Sequence, residues 1–181
     1  MECWICKKPA EAERTSSRKT PFQCKTCGDF AITDRIKIQD ELRPYLSAAT
    51  RQASERGRPL TVTSENFLDL AEIHQGTTVS EKLDKILAFI AAKTKVPGSG
   101  HIVLPKLDYP MVDARDDAEL QLYLGYLVNK GLLMVEFPGP GIAGGKYALT
   151  IDGWRQMEPV LRAGGEPGRC FVASWLDDEN G

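Results

Sequence analysis

Residues 3–28 read CWICKKPAEAERTSSRKTPFQCKTCG, and the cysteines at Cys3, Cys6, Cys24 and Cys27 decide how this end of the chain folds. The spacing is Cys-x2-Cys, a loop from Lys7 to Gln23, then Cys-x2-Cys, which matches a four-thiolate zinc site in ligand number and in loop length. Two-residue gaps let each pair grip one ion from a tight knuckle. Gly28, directly after Cys27, suits the backbone turn that aims N–H groups at sulfur. Besides the cysteines, only Trp4, Phe22 and Phe30 offer a core to this segment, and a unit so small needs a staple. A catalytic zinc keeps one position open for water, whereas four thiolates fill the tetrahedron. The motif therefore predicts one structural Zn2+ ion, with reversible thiolate oxidation as the competing use. Lys7, Lys8 and Lys25 can offset the net negative charge of such a site, so these cations need not imply nucleic acid.

Working outward, Thr33 reads as the cap of a helix carrying Ile36 and Leu42 and continuing past Pro44 through Tyr45, Leu46 and Ala49 to Gly57. Pro44 marks a break or a fresh first turn, because proline lacks the N–H that an interior position needs. Ser64 opens a short segment, Glu65 to Ile73, that stops near Gly76. Thr78 with Glu81 forms a capping-box pattern, and Val79, Leu83, Ile86, Leu87 and Ile90 follow on one helical face. A short extended run, Ile102 to Leu104, precedes a helix opened by Asp116 and Glu119. That helix buries Leu120, Tyr123, Leu124 and Leu127 and stops at Gly131. Leu132 to Phe137 and Lys146 to Leu149 read as two strands joined by the Gly/Pro-rich turn 138–145. Thr150 then caps a helix with Trp154, Met157 and Leu161, and the run Phe171 to Leu176 has the character of a buried strand.

The expected class is α+β, mainly helical: a small zinc ribbon over residues 1–31, connecting helices over 32–58, and a winged-helix-like domain over 59–163. Residues 164–181 follow as a linker and a terminal strand. The chain has 181 residues, 42% apolar and 27% charged, with a formal net charge of -2, a globular composition without the cationic excess typical of phosphate-gripping proteins. No apolar run is long enough to span a bilayer and no signal peptide opens the chain, which predicts a cytoplasmic location.

No complete active site is legible, so the expectation is that this chain is not itself an enzyme. His74 and His101 belong to no spaced ligand or triad motif. Gly139 to Lys146 fails as a phosphate loop, because position 140 is proline and Tyr147 follows the lysine. Cys170, the fifth cysteine, reads as a small apolar residue. The winged-helix pattern invites DNA binding through the 116–130 helix. Its opening nevertheless carries Asp113, Asp116, Asp117 and Glu119 against only Arg115, and the 138–146 turn contributes a single cation. Protein partners or self-association are therefore expected ahead of DNA. A basic stripe joining Arg14, Arg18 and Lys19 to Arg51, Arg56 and Arg58 would reverse that ranking.

Taken in order, the two knuckles, SEKLDKILAFIAAKTKVPG (80–98), LGYLVNKGLLMVEF (124–137), YALTIDGW (147–154) and CFVASWLDDENG (170–181) resemble a bacterial family. Its members join a zinc-ribbon and winged-helix N-terminal half to a TIR-like or nucleoside-deoxyribosyltransferase-like domain and are associated with antiphage defence. The resemblance implies that residues 171–177 begin that α/β domain and that this chain supplies sensing or assembly machinery. Cleavage of NAD or nucleosides would belong to the parent protein, and no catalytic residue transfers to any position here. A winged-helix transcription regulator, or a fragment of an NAD- or nucleoside-processing enzyme, stands as the alternative.

Overall fold

A computed structural model of the chain describes residues 1–13, 19–33, 36–94, 96–137 and 144–162. The fold is α+β, and its buried apolar residues separate into two clusters, one centred on the cysteine knuckles and one on the later helices.

The first lobe is built on a hairpin. Strands β2 (Thr20–Cys24) and β3 (Gly28–Ile32) pair antiparallel in a register that sets Phe22 opposite Phe30 and Cys24 opposite Gly28. The two phenyl rings stack at 5.2 Å, and that cross-strand pair holds the hairpin over the knuckles. β1 (Glu11–Ala12) pairs antiparallel with β2. On the far edge β4 (Leu60–Val62) pairs parallel with β3.

Helix α1 (Arg43–Glu55) covers this sheet, and Leu46 buries into the cluster with Phe22 and Phe30. The helix does not begin at Thr33. Residues 36–39 are non-helical, a 3-10 turn occupies Asp40–Leu42, and Pro44 stands in the first turn of α1. Pro44 is thus the fresh start rather than the break, and the missing N–H costs nothing there. Ile36 and Ile38 still bury in the first cluster, so their apolarity serves a crossing segment and not a helix face.

α2 (Phe67–Gln75) opens after a turn organised by Thr63 rather than by Ser64. The Thr63 hydroxyl accepts from the N–H groups of Glu65 and Asn66, while the Asn66 side-chain oxygen Oδ1 accepts from Thr63 N–H at 2.8 Å. Val62, Phe67, Leu70 and Ala71 pack into the first cluster. The core of the first lobe takes in residues as late as Ala71.

The second lobe comprises α3 (Val79–Lys93), β5 (His101–Val103), the one-turn α4 (Pro105–Asp108), a 3-10 turn at Tyr109–Val112, α5 (Asp117–Asn129), β6 (Leu133–Glu136), β7 (Gly145–Leu149) and α6 (Ile151–Arg162). Its sheet has the order β5-β7-β6, all antiparallel. The capping box at Thr78 and Glu81 is present in both directions. Asp116 caps α5 by accepting from Glu119 N–H at 2.8 Å. Thr150 caps α6 through Gly153 N–H at 3.1 Å. Ile86, Leu87 and Ile90 of α3 meet Leu120, Leu124 and Leu127 of α5 and Met157 of α6 in a single core. Residues 138–143 of the expected 138–145 turn, and the 171–176 strand expected from the sequence, lie outside the described residues.

Candidate metal centre

Each knuckle turns the same way. Cys3 to Cys6 is followed by Lys7 at φ 62° and Cys24 to Cys27 by Gly28 at φ 73°, so both chains leave the sulfurs through a left-handed residue. Cys27 N–H points at Cys24 Sγ across 3.4 Å, and Lys7 N–H bonds Cys3 O at 3.0 Å. These turns bring the thiols together. Cys3 Sγ lies 3.8 Å from Cys27 Sγ, Cys6 Sγ lies 3.6 Å from Cys24 Sγ, and all four sulfurs fall within 4.8 Å of one another. A tetrahedral ion with sulfurs at about 2.3 Å needs S···S separations of about 3.8 Å. A disulfide would need about 2.05 Å. The cluster therefore has the size of a metal site and could hold one ion.

Without a cation the thiols compete for protons. Hydrogen bonding from Cys27 holds Cys24 far below the usual thiol range, and the same contact drives Cys27 far above it. A dication at the centre removes that competition by stabilising all four as thiolates.

Groups the sequence did not single out hold the knuckles in place. Arg43 of α1 donates from Nη1 to Trp4 O at 2.9 Å and to Ile5 O at 2.8 Å, the two middle residues of the first knuckle. Arg51, two turns further along the same helix, donates to Lys25 O in the second knuckle and pairs with Glu55 at 3.0 Å. Between them Ser47 places Oγ 3.1 Å from Cys27 Sγ. One α1 face thus supplies a donor to each knuckle and a hydroxyl to a sulfur, which orients donor atoms as outer hydrogen bonds do around a metal. An arginine spacing on a helix distant from the cysteines has no motif to reveal it.

Gly28 is required twice. Its left-handed backbone disfavours any side chain, and an added Cβ would stand 2.5 Å from Ser54 Cβ, beside the Ser54 hydroxyl that accepts from Asp29 N–H at 2.9 Å. Gly28→Ala is expected to lower stability by about 2–3 kcal/mol, read as an earlier denaturant midpoint with an unchanged slope. Lys7→Gly, where the left-handed turn already strains a side chain, should leave stability level or raise it by about 1 kcal/mol.

The basic residues find other work. Lys7 sits over the Trp4 ring at 5.9 Å, and Lys8 donates to Lys106 O at 2.5 Å while lying 4.8 Å from the Tyr109 ring. Lys8 therefore ties the first lobe to α4 and to the turn that follows it. Tyr109 also borders the cluster. Burial pushes its phenol up, the bond to Ser47 opposes this, and the charge of Cys27 adds to the rise.

A second polar centre joins the lobes. Asp113, expected as part of an acidic rim on α5, is instead in the preceding loop at φ 59° with its carboxylate fully buried. Gln52 of α1 donates to Oδ1 at 2.6 Å, Thr77 donates to Oδ2 at 2.8 Å, and Lys85 of α3 pairs with Oδ2. His74 Nδ1 lies 2.8 Å from Oδ1. Burial alone would raise the Asp113 pKa, yet bonds from His74 and Lys85 outweigh it and hold the carboxyl below its usual range. Each oxygen is satisfied by protein donors, so this is a structural knot between lobes. His101 packs edge-on against Phe89 at 5.5 Å, and burial lowers its pKa.

Glu119 also turns inward. It pairs with Lys82 at 2.9 Å and accepts from Tyr123 OH at 2.7 Å and Arg115 N–H at 2.6 Å. Burial works against its charge, and these donors overcome it, bringing its pKa down to about 2. Two of the four carboxylates counted against DNA binding are therefore spent inside the fold. Of the basic stripe, Arg51 is engaged by Lys25, Glu55 and Asp108 with its side chain 18% exposed, whereas Lys19, Arg56 and Arg58 are exposed; Arg14 and Arg18 lie outside the described residues.

No protein-family model, curated protein or solved structure matches the chain. Among the described residues no helix is long and apolar enough to cross a membrane.

Proposed function

We propose that this chain is a zinc-stapled regulatory module that acts through protein contacts and carries no catalysis of its own. The metal is zinc and structural: four thiols at tetrahedral spacing leave no coordination position for water or substrate. The second lobe is a winged-helix-like domain, supported by the order helix, strand, helices, hairpin and by the β5-β7-β6 sheet.

One observation carries the functional reading. On a winged helix that reads DNA, the exposed face of the helix equivalent to α5 supplies donors to base edges and cations to phosphates. Here the exposed positions of α5 are Ala118, Gln121, Leu122, Gly125, Tyr126 and Asn129, with no cation among them, and the exposed cations Arg115 and Lys130 only flank its two ends. That surface suits another protein. The resemblance of the sequence to defence-type proteins fits the same role, as the sensing or assembly part that serves a catalytic domain elsewhere.

DNA binding is the second reading, because Asp113 and Glu119 no longer repel phosphate from the surface. A gel-shift titration on mixed-sequence duplex DNA separates the two. The module reading predicts no shift at low salt, and binding that weakens steeply as salt rises would overturn it. Turnover of NAD or nucleosides by this chain would overturn it equally.

A further inference from the structure

The apolar face of α5 carries a pattern that goes beyond general stickiness. Ala118, Leu122, Gly125 and Asn129 are all exposed and follow the four-three-four spacing of a coiled-coil seam. The opposite face, Leu120, Tyr123, Leu124 and Leu127, is buried in the core of the second lobe. The outward stripe is therefore unpartnered among the described residues. Leu122 is 69% exposed and Tyr126 46% exposed, and a Cβ added to Gly125 would meet no atom within 4 Å, so a notch stands open beside a protruding leucine.

The stripe is complementary to itself when read backwards. Place a second α5 antiparallel to the first, with the two-fold axis midway between Leu122 and Gly125. Leu122 of each copy then faces Gly125 of the other, a knob opposite a notch. Ala118 faces Asn129, and Gln121 faces Tyr126, an amide beside a phenol. At the ends Asp117 faces Lys130, so both ends of the pair match opposite charges. The same order also opposes the helix dipoles favourably. A parallel arrangement loses each of these matches, setting Asp117 against Asp117 and leucine against leucine.

We propose that α5 pairs antiparallel with α5 of a second copy of this chain, making the module a two-fold homodimer. The inference rests on the interaction-module reading, and the two fail differently: a salt-sensitive DNA shift sinks the module, whereas a monomer sinks only the pairing. A 13-residue helix is about 20 Å long and covers less area than a standard interface of about 1,600 Å², so the dimer belongs in the micromolar range.

Sedimentation equilibrium on the full chain, loaded with its metal, tests the pairing from about 1 to 200 µM. The wild type is expected to move from monomer to dimer across that range. Leu122→Glu should weaken association at least about 100-fold, with an unchanged circular dichroism spectrum because the position is exposed. Gly125→Leu is the sharper variant. It adds apolar surface and helix propensity, so mere stickiness would strengthen association, while a filled notch weakens it. Asp117→Lys and Lys130→Asp should each weaken the dimer about tenfold at low salt, and the double variant should restore it. A wild type that stays monomeric throughout, a tighter dimer from Gly125→Leu, or no restoration in the charge swap would each overturn the proposal, as would a stripe that instead binds another protein with no self-association.

Discussion

Cys27→Ser is expected to unfold the first lobe while leaving most of the second intact. Cys27 is fully buried, meets Cys3 across 3.8 Å and Ser47 across 3.1 Å, and occupies one quarter of the proposed zinc shell. Structural zinc in small thiolate domains contributes about 10–16 kcal/mol of apparent binding free energy near neutral pH. Losing one thiolate forfeits a large part of that, against a typical domain stability of about 5–15 kcal/mol. The ribbon hairpin has little to fall back on. Apart from the stacked Phe22 and Phe30, its cluster is made of the cysteines, of Ile5 and Ile32, and of residues lent by the 36–38 segment, α1, β4 and α2. The second lobe keeps its own core of Ile86, Leu87, Ile90, Leu120, Leu124 and Leu127. Hydrogen exchange should show early exchange in β2, β3 and α1 and continued protection in α3 and α5. A strong chelator added to wild type should reproduce the pattern, and re-adding zinc should reverse it. Uniform protection in the serine variant would mean that the metal does not staple the fold.

The second large effect belongs to Asp113. Replacing it with alanine removes the acceptor for Gln52, Thr77 and Lys85 together and leaves a lysine charge in a partly buried place. Breaking such a pair from one side costs about 3–5 kcal/mol, more than most single substitutions. It should also loosen the lobes, since Gln52 lies on α1, His74 on α2 and Lys85 on α3. The same group sets a pH dependence. Its carboxyl is held below the ordinary range, so the unfolded chain takes up the proton first on acidification. Its contribution is complete above the usual carboxylate pKa of about 3.9 and fades as pH falls below it. Glu119, brought down to about 2, adds to the loss in the same direction. On this account denaturant midpoints should hold level from pH 7 to about pH 4 and then fall on further acidification, more steeply for wild type than for Asp113→Asn. Parallel curves would remove Asp113 from the account.

How much of this was legible in sequence depends on the range of each interaction. The cysteine cluster was readable because both knuckles are local and a shared ion dictates their spacing. Helices α3, α5 and α6 were readable from caps that act within three residues, at Thr78, Asp116 and Thr150. Where the partner was distant, the reading failed. Leu60–Val62 is too short to announce itself as a strand and exists because β3 offers an edge. Ile36 suggested a helix face, although it is buried in the first cluster from a non-helical segment, beside Ile38. Asp113 looked like surface charge because its partners come from three helices spread over 34 positions of sequence, from Gln52 to Lys85. Arg43 and Arg51 hold the knuckles from a helix that carries no cysteine, and nothing near them in sequence marks that task.

X-ray absorption at the zinc edge, combined with metal analysis of purified protein, addresses the central claim most directly. The account predicts one zinc per chain, coordinated by four sulfurs at about 2.3 Å with no oxygen or nitrogen in the shell. Protein folded without near-stoichiometric metal, or a shell containing a light-atom ligand, would contradict it.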